Sequence, residues 1–466
     1  MKFPFLLRIS LLFFLMFLGS GSLRALEVEG TWQGRMMVLF YSQDLRLVFH
    51  FGRDSVDHTL VGSMEVPDQG IEKMDLDVEA TDDSLFLSIP EISAEFVGKY
   101  NPDSAAFFGI FKQSGIKFPL KLIKGEANDL VYYRPQKPKK PYPYHEEEVT
   151  IENKSSKLTL AGTFTKPEGK GKFPAVILIT GSGPEDRDET IVGHKPFLIL
   201  ADYLTRKGFA VLRCDDRGTA KSTGDFAGTS ADYATDVVVQ IDYLKTRKDV
   251  DLKKIGLLGH SEGGIIAPLA AAPRKDVAFL VLYAAPAVDL YNLLITQDSL
   301  ILASEGRGQK EITASREKNT KIYQFIRSTP DSATAADSID LYLRGMNAHD
   351  MEIAATLRQM DGRWMRWYSG YDPRETLAKI QCPVLAINGE KDVQVPAREN
   401  IDAIQQTLTK NGNKNFKTLV LPGLNHLFQK CKKCTTSEYV LLEETLNQSA
   451  LEVTGTWMVE NILNKK

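Results

Sequence analysis

Cysteine is scarce: the 466 residues contain four, Cys214, Cys382, Cys431 and Cys434. That is too few for a disulfide scaffold in a chain of this size, and a structural zinc site would need a second ligand pair beside Cys431 and Cys434, which is not evident. Net charge is lacking as well, since 57 Lys and Arg stand against 60 Asp and Glu, a formal −3. Without a global field, neither nucleic acid nor an anionic membrane is favoured as a partner. The glycines of Gly181-Ser182-Gly183 are not followed by the Gly-Lys-Ser/Thr ending of a phosphate loop.

The one long apolar stretch at the start, Ile9 to Leu18, follows Lys2 and Arg8 and is shorter than the roughly 20 residues that cross a bilayer. With small residues and Leu23-Arg24-Ala25 behind it, it has the form of an export signal spanning residues 1–25, and no cysteine follows for a lipid anchor. The expectation is a periplasmic or extracellular protein with no stable membrane anchor after cleavage; an uncleaved anchor is the alternative.

Apolar residues are plentiful, 43% of the chain, and the length suggests two or three domains. Residues 26–134 carry short β-branched and aromatic runs bounded by Gly, Pro, Asp and Asn, such as Leu45 to Phe51, Leu85 to Ile89 and Phe107 to Phe111. They predict a small antiparallel β-domain, a sandwich or barrel. Residues 135–144 are proline-dense and basic, which predicts an extended, semi-rigid linker.

From residue 145 to 466 the pattern changes. Ala175 to Thr180 is an almost uniformly apolar run suited to a central parallel strand, and strand and helix patterns alternate after it. Such alternation predicts an α/β fold with a doubly wound, mostly parallel sheet. Between about residues 286 and 373 the alternation gives way to amphipathic helical patterns, the mark of a helical cap insertion.

Within this region Gly259-His260-Ser261-Glu262-Gly263 places a serine between an apolar strand, Ile255 to Leu258, and a small-residue helix. A sharp strand-to-helix turn exposes such a serine as a nucleophile, and glycine is needed two residues to either side. A serine hydroxyl is weak at neutral pH and requires a base and a group that orients it. Functional residues gather beyond the carboxyl ends of parallel strands. Asp392 follows the Val384 to Asn388 strand and His426 follows the Thr418 to Leu421 strand, so both belong at that edge. Glu390 is a competing acid, and His145, His194 and His349 are competing bases that follow no late strand; His260 is assigned to packing.

The motifs GHSEGG, NGEKDVQVP and GLNHLF, in that order, resemble the nucleophile, acid and histidine motifs of the α/β-hydrolase superfamily, in the branch of bacterial carboxylesterases and serine aminopeptidase-like hydrolases with an N-terminal β-domain. The resemblance covers about the last two-thirds of the chain. It implies a catalytic triad of Ser261, Asp392 and His426, with an oxyanion hole formed by the amides of Glu262 and Ser182, or Gly183 in place of Ser182. It implies no metal and no organic cofactor. The expected activity is hydrolysis of a small-molecule ester through an acyl-enzyme; aminopeptidase-like cleavage of a peptide and a non-catalytic binding role for the β-domain are the alternatives. The acidic and basic residues of Glu185 to Asp188 and Arg213 to Arg217 are expected to brace the oxyanion loop, with Arg217 bridging acids. The aromatics Trp364, Trp367 and Tyr368 suit either a pocket lining or the core of the insertion.

Overall fold

The computed structural model describes residues 27–36, 45–55, 57–66, 71–113, 116–125, 134–329, 331–360 and 362–465. The export signal expected at residues 1–25 lies outside them. The chain divides into two compact units, the first ending before residue 130.

In the first unit eight strands form a closed antiparallel barrel: β1 (Gly30–Met36), β2 (Leu45–Arg53), β3 (Leu60–Val66), β4 (Ile71–Ala80), β5 (Ser84–Ile89), β6 (Ala94–Asn101), β7 (Ala106–Gln113) and β8 (Ile116–Lys124). Alternation drives it, as β5 shows: Leu85, Leu87 and Ile89 are buried while Phe86 and Ser88 are exposed. The inward residues include Trp32, Phe49, Phe96 and Phe107, all buried, with the Trp32 and Phe107 rings 4.9 Å apart. β1 pairs with β8 through Trp32–Lys124 and Gln33–Ile123, so the sheet closes and leaves no edge strand exposed.

The second unit is built on one eight-stranded sheet. Its strands are β9 (Tyr144–Asn153), β10 (Leu158–Pro167), β11 (Phe173–Ile179), β12 (Ala210–Cys214), β13 (Val250–His260), β14 (Phe279–Tyr283), β15 (Val384–Gly389) and β16 (Phe416–Leu421). They lie in the order β16-β15-β14-β13-β11-β12-β10-β9. β9 and β10 pair antiparallel with each other, β10 pairs antiparallel with β12, and the pairings from β12 through β11 to β16 are parallel.

The helices are α1 (Pro196–Arg206), α2 (Ser230–Thr246), α3 (Gly263–Ala271), α4 (Leu290–Ser304), α5 (Gln309–Ser328), α6 (Ser332–Gly345), α7 (Asp350–Met360), α8 (Arg363–Ser369), α9 (Arg374–Leu377), α10 (Ala397–Lys410) and α11 (Gln448–Met458). Apolar stripes of α2, α3 and α10 cover one sheet face and those of α1 and α11 the other. β11 is therefore buried on both sides, the reason its sequence is an unbroken apolar run. Helices α4 to α8 lie between β14 and β15 and share a separate core containing Leu293, Tyr323, Ile339 and Tyr368.

The proline-rich run does not begin as a solvated spacer. The Gln136 side chain donates to the Leu446 carbonyl and accepts the Thr445 and Leu446 amides, and Arg134 donates to the carbonyls of Val192, Val440 and Leu442. These bonds seat the entry to β9 against the rest of the second unit, which composition alone cannot reveal. Among the described residues no helix is long and apolar enough to cross a membrane.

Candidate active site

Ser261 occupies the turn between β13 and α3 with φ of 52°. Its neighbours make that strained conformation possible. A Cβ on Gly259 would collide with the Gly263 carbonyl, and one on Gly263 would collide with the carbonyls of Ile179 and Thr180. Only glycine lets α3 pass this close to β11. The Ser261 amide donates to Tyr283 O at 2.8 Å, fixing the turn to the end of β14.

Asp392 and His426 leave the carboxyl ends of β15 and β16 and meet, with Asp392 Oδ2 2.8 Å from His426 Nδ1 and both residues buried. The other carboxylate oxygen accepts the Gln394 and Val395 amides at 2.8 Å each, which leaves Oδ2 directed at the imidazole. Glu390, the competing acid, instead accepts the Gly423 amide on the surface. The His426 ring lies 4.9 Å from that of His260, the residue before Ser261. Among the described residues His426 Nδ1 bonds Asp392, and no hydrogen bond joins Ser261 Oγ to His426 Nε2.

The backbone amides of Glu262, Ser182 and Gly183 donate to no acceptor among the described residues. The amide of Gly181, by contrast, is taken by Glu189 Oε1 at 3.0 Å. Bracing of this loop falls mainly to residues other than Arg217. Arg187 makes the bidentate pair, Nε to Asp215 Oδ1 at 2.8 Å and an η-nitrogen to Oδ2 at 2.7 Å. Asp216 accepts the Thr180 hydroxyl and the Glu185 amide, and burial pushes its carboxyl up to about 8. Arg217 turns to Asp236 at 2.6 Å and to the Asp232 carbonyl, joining α2 rather than two acids of the loop.

Two arrangements lie beyond what the sequence pattern indicates. The Glu262 carboxylate is buried and accepts from Ser230 Oγ at 2.5 Å and from Trp364 Nε1 at 2.7 Å. Burial raises its pKa, and hydrogen bonds from Ser230, Trp364 and Ser182 oppose the rise. The available signal was a lone acid inside an otherwise small and apolar helix start. His260 is not merely packed: its Nδ1 is 2.8 Å from Glu189 Oε1 and its Nε2 is 3.1 Å from the His426 carbonyl.

Trp364 thus contacts the turn at Ser261 through Glu262, whereas Tyr368 is buried in the core of the insertion, the Trp364 and Tyr368 rings stacking at 4.5 Å. His194 is buried beside Thr445 and the Tyr439 carbonyl, while His145 pairs with Glu147 and the His349 carbonyl bonds the Ile353 amide. Cys431 and Cys434 form a disulfide just beyond His426. Glu438 lies beside them, but its carboxylate accepts the amides of Lys432, Lys433 and Cys434. With the sulfurs bonded to each other, the cluster offers no free metal ligands.

Esterase EstD of Thermotoga maritima is 27% identical to this chain over 326 residues, 69% of each protein. The human serine hydrolase BPHL is 27% identical over 197 residues, 41% of this chain and 57% of its own. Among solved structures, Est1E from Butyrivibrio proteoclasticus with ferulic acid bound is 21% identical, covering 68% of this chain and 100% of its own with a TM-score of 0.43. The family model for X-Pro dipeptidyl-peptidase (S15 family) matches residues 137–427, a span running from the entry to the sheet as far as the histidine loop. By that match the chain belongs to the S15 family, and it is a serine hydrolase of the esterase-like α/β-hydrolase type.

Proposed function

We propose that this protein is exported and cleaves carboxylic esters through a Ser261–His426–Asp392 triad and a covalent acyl-enzyme. The observation that carries the reading is the 2.8 Å contact between Asp392 Oδ2 and His426 Nδ1 at the sheet edge where Ser261 stands in a left-handed turn. A carboxylate only accepts, so it holds the proton on Nδ1 and leaves Nε2 as the base. His426 Nε2 takes the proton of Ser261 Oγ as that oxygen attacks the ester carbon. The carbonyl oxygen becomes negative and is met by the amides of Glu262 and Ser182, with Gly183 as the alternative donor. Collapse expels the alcohol oxygen, which leaves with the proton from His426, and the acyl group stays on Ser261. Water then repeats the sequence, giving up a proton to His426 and releasing the acid.

The family match supports a second reading, peptide cleavage, since the same groups serve an amine leaving group. An exopeptidase needs carboxylate to hold the free amine of its substrate, and Glu262, the buried carboxylate nearest Ser261 in sequence, already accepts from Ser230 and Trp364 at its Oε1. Ester cleavage is also the less demanding chemistry.

The test is labelling of the folded, processed protein with a fluorophosphonate, followed by mass mapping. An adduct on Ser261, lost in Ser261→Ala together with hydrolysis of short-chain aryl esters, is expected. Absence of any adduct would defeat the enzymatic reading. A parallel panel of acetylated sugars and aminoacyl-proline amides separates esterase from peptidase.

A further inference from the structure

A second buried ionisable pair stands where three segments of the site meet. Glu189 is 1% exposed and His260 5% exposed. Glu189 Oε1 accepts the Gly181 amide at 3.0 Å and lies 2.8 Å from His260 Nδ1, while His260 Nε2 lies 3.1 Å from the carbonyl oxygen of His426. A carbonyl oxygen only accepts, so Nε2 carries a proton. The carboxylate oxygen is already an acceptor for Gly181 and is satisfied best by a second donor, so Nδ1 carries one as well. The ring is then an imidazolium. Burial works against that charge, but the Glu189 carboxylate and its hydrogen bond outweigh it and hold the ring's pKa above its ordinary value.

We propose that Glu189 and His260 act as a positioning pair, holding the oxyanion loop and His426 in fixed relation to Ser261 without touching the reacting atoms. The proposal rests on the triad reading given above. His260 is the residue before Ser261, and its backbone is locked into β13 opposite Tyr283. Its side chain therefore carries the frame of the nucleophile outward to two loops. One is the histidine loop, held by its carbonyl at residue 426; the imidazole of the same residue is held by Asp392, so His426 is gripped at backbone and at ring. The other is the loop at Gly181, whose amide is fixed through Glu189 immediately before the Ser182 amide.

Gly181 stands beside all three groups, at ordinary contact distance. A Cβ there would lie 3.5 Å from Ser261 Cβ, 3.6 Å from Glu189 Oε1 and 3.7 Å from His260 Nδ1. Glu189 itself is held in a left-handed conformation with φ of 53°, unusual for a residue with a side chain. Displacements of about 1 Å at groups remote from the chemistry cost on the order of 100-fold in rate, which is the scale of effect such a pair controls.

A pair that only stabilised the fold would change the melting temperature and leave the turnover of folded enzyme alone. The full-length protein is therefore compared with Glu189→Gln, His260→Gln and the double variant for aryl-ester kcat and KM, fluorophosphonate labelling rate and melting temperature. Glu189→Gln keeps an acceptor for the Gly181 amide and the same volume, and His260→Gln is an independent probe if the first does not fold. Expected is a fall in kcat of about 10–100-fold in each single variant, with KM within about threefold and labelling slowed in parallel; the double variant is no slower than the slower single, because the two act as one unit. A folded single variant with kcat within about twofold of the parent, or losses that multiply in the double variant, would overturn the pair. Failure of the triad reading is separate: the unsubstituted protein itself would then neither label nor hydrolyse ester.

Discussion

Trp364 Nε1 donates to Glu262 Oε1 at 2.7 Å, so helix α8 of the inserted bundle is tied to the residue that follows Ser261. The carboxylate is buried and shares the same oxygen with Ser230 of α2. Removing the indole N–H leaves a buried acceptor one donor short. Trp364→Phe retains an aromatic ring against Tyr368 but loses this bond, and is expected to lower stability by about 1–2 kcal/mol. Chemical denaturation measures it. An unchanged midpoint would mean that the bond adds nothing beyond what water supplies.

Asp392→Asn tests the orientation of His426. An amide can present N–H to Nδ1 and stabilise the wrong tautomer, so kcat for ester hydrolysis is expected to fall on the order of 10⁴-fold. Asn still carries an oxygen for the Gln394 and Val395 amides, so the loop is expected to keep its shape. The check is kcat alongside a melting curve; a loss of less than tenfold in folded protein would remove Asp392 from the triad.

Much of this was legible in the sequence because steric and periodic constraints are local. Gly259 and Gly263 are required wherever a helix crosses a strand that closely, and the apolar run of β11 follows from burial on both faces. The closed barrel was legible only as β-rich hairpins, because closure depends on Trp32 and Gln33 of β1 finding Lys124 and Ile123 of β8, some ninety residues away. The partners of His260 and Glu262 were hidden for the same reason: Glu189 lies 71 residues before His260, and Trp364 lies 102 residues after Glu262. Arg187 and Arg217 were chemically equivalent on paper. Only the fold decides which of them faces Asp215.

Two devices hold the loop beyond His426, and their magnitudes differ. Closing a four-residue loop by the Cys431–Cys434 disulfide is worth about 2 kcal/mol in the chain-entropy picture. Glu438 accepts three backbone amides, from Lys432, Lys433 and Cys434, within 3.1 Å, and charge-assisted bonds contribute about 1.5–3 kcal/mol each when removed from a satisfied site. Glu438→Ala is therefore expected to destabilise more than the double Cys431→Ser, Cys434→Ser variant. Paired thermal melts under oxidising conditions decide the order, and the reverse ranking would make the disulfide the principal brace.

His194 gives stability a pH dependence. Its ring sits 1% exposed between Thr445 and the Tyr439 carbonyl. Burial, with the nearby Arg134 charge, lowers its pKa from 6.5 to about 4. The unfolded ring gains a proton below about 6.5 and the folded ring only below about 4, so its contribution is present above that interval and lost as pH falls through it. The shift of about 2.5 units corresponds to about 3 kcal/mol at roughly 1.36 kcal/mol per unit. Asp216 has the opposite sign: burial keeps its folded carboxyl protonated up to about 8 against an ordinary 3.8, so its contribution fades as pH rises. Between pH 4 and 6.5 the two slopes oppose each other and the raw stability profile is flattened. The informative quantity is the difference between the parent and His194→Asn, measured by urea denaturation across that range. The gap is expected to widen by up to about 3 kcal/mol from pH 4 to 6.5 and then stay level; a gap independent of pH would show that His194 already titrates in the folded protein as it does in the unfolded chain.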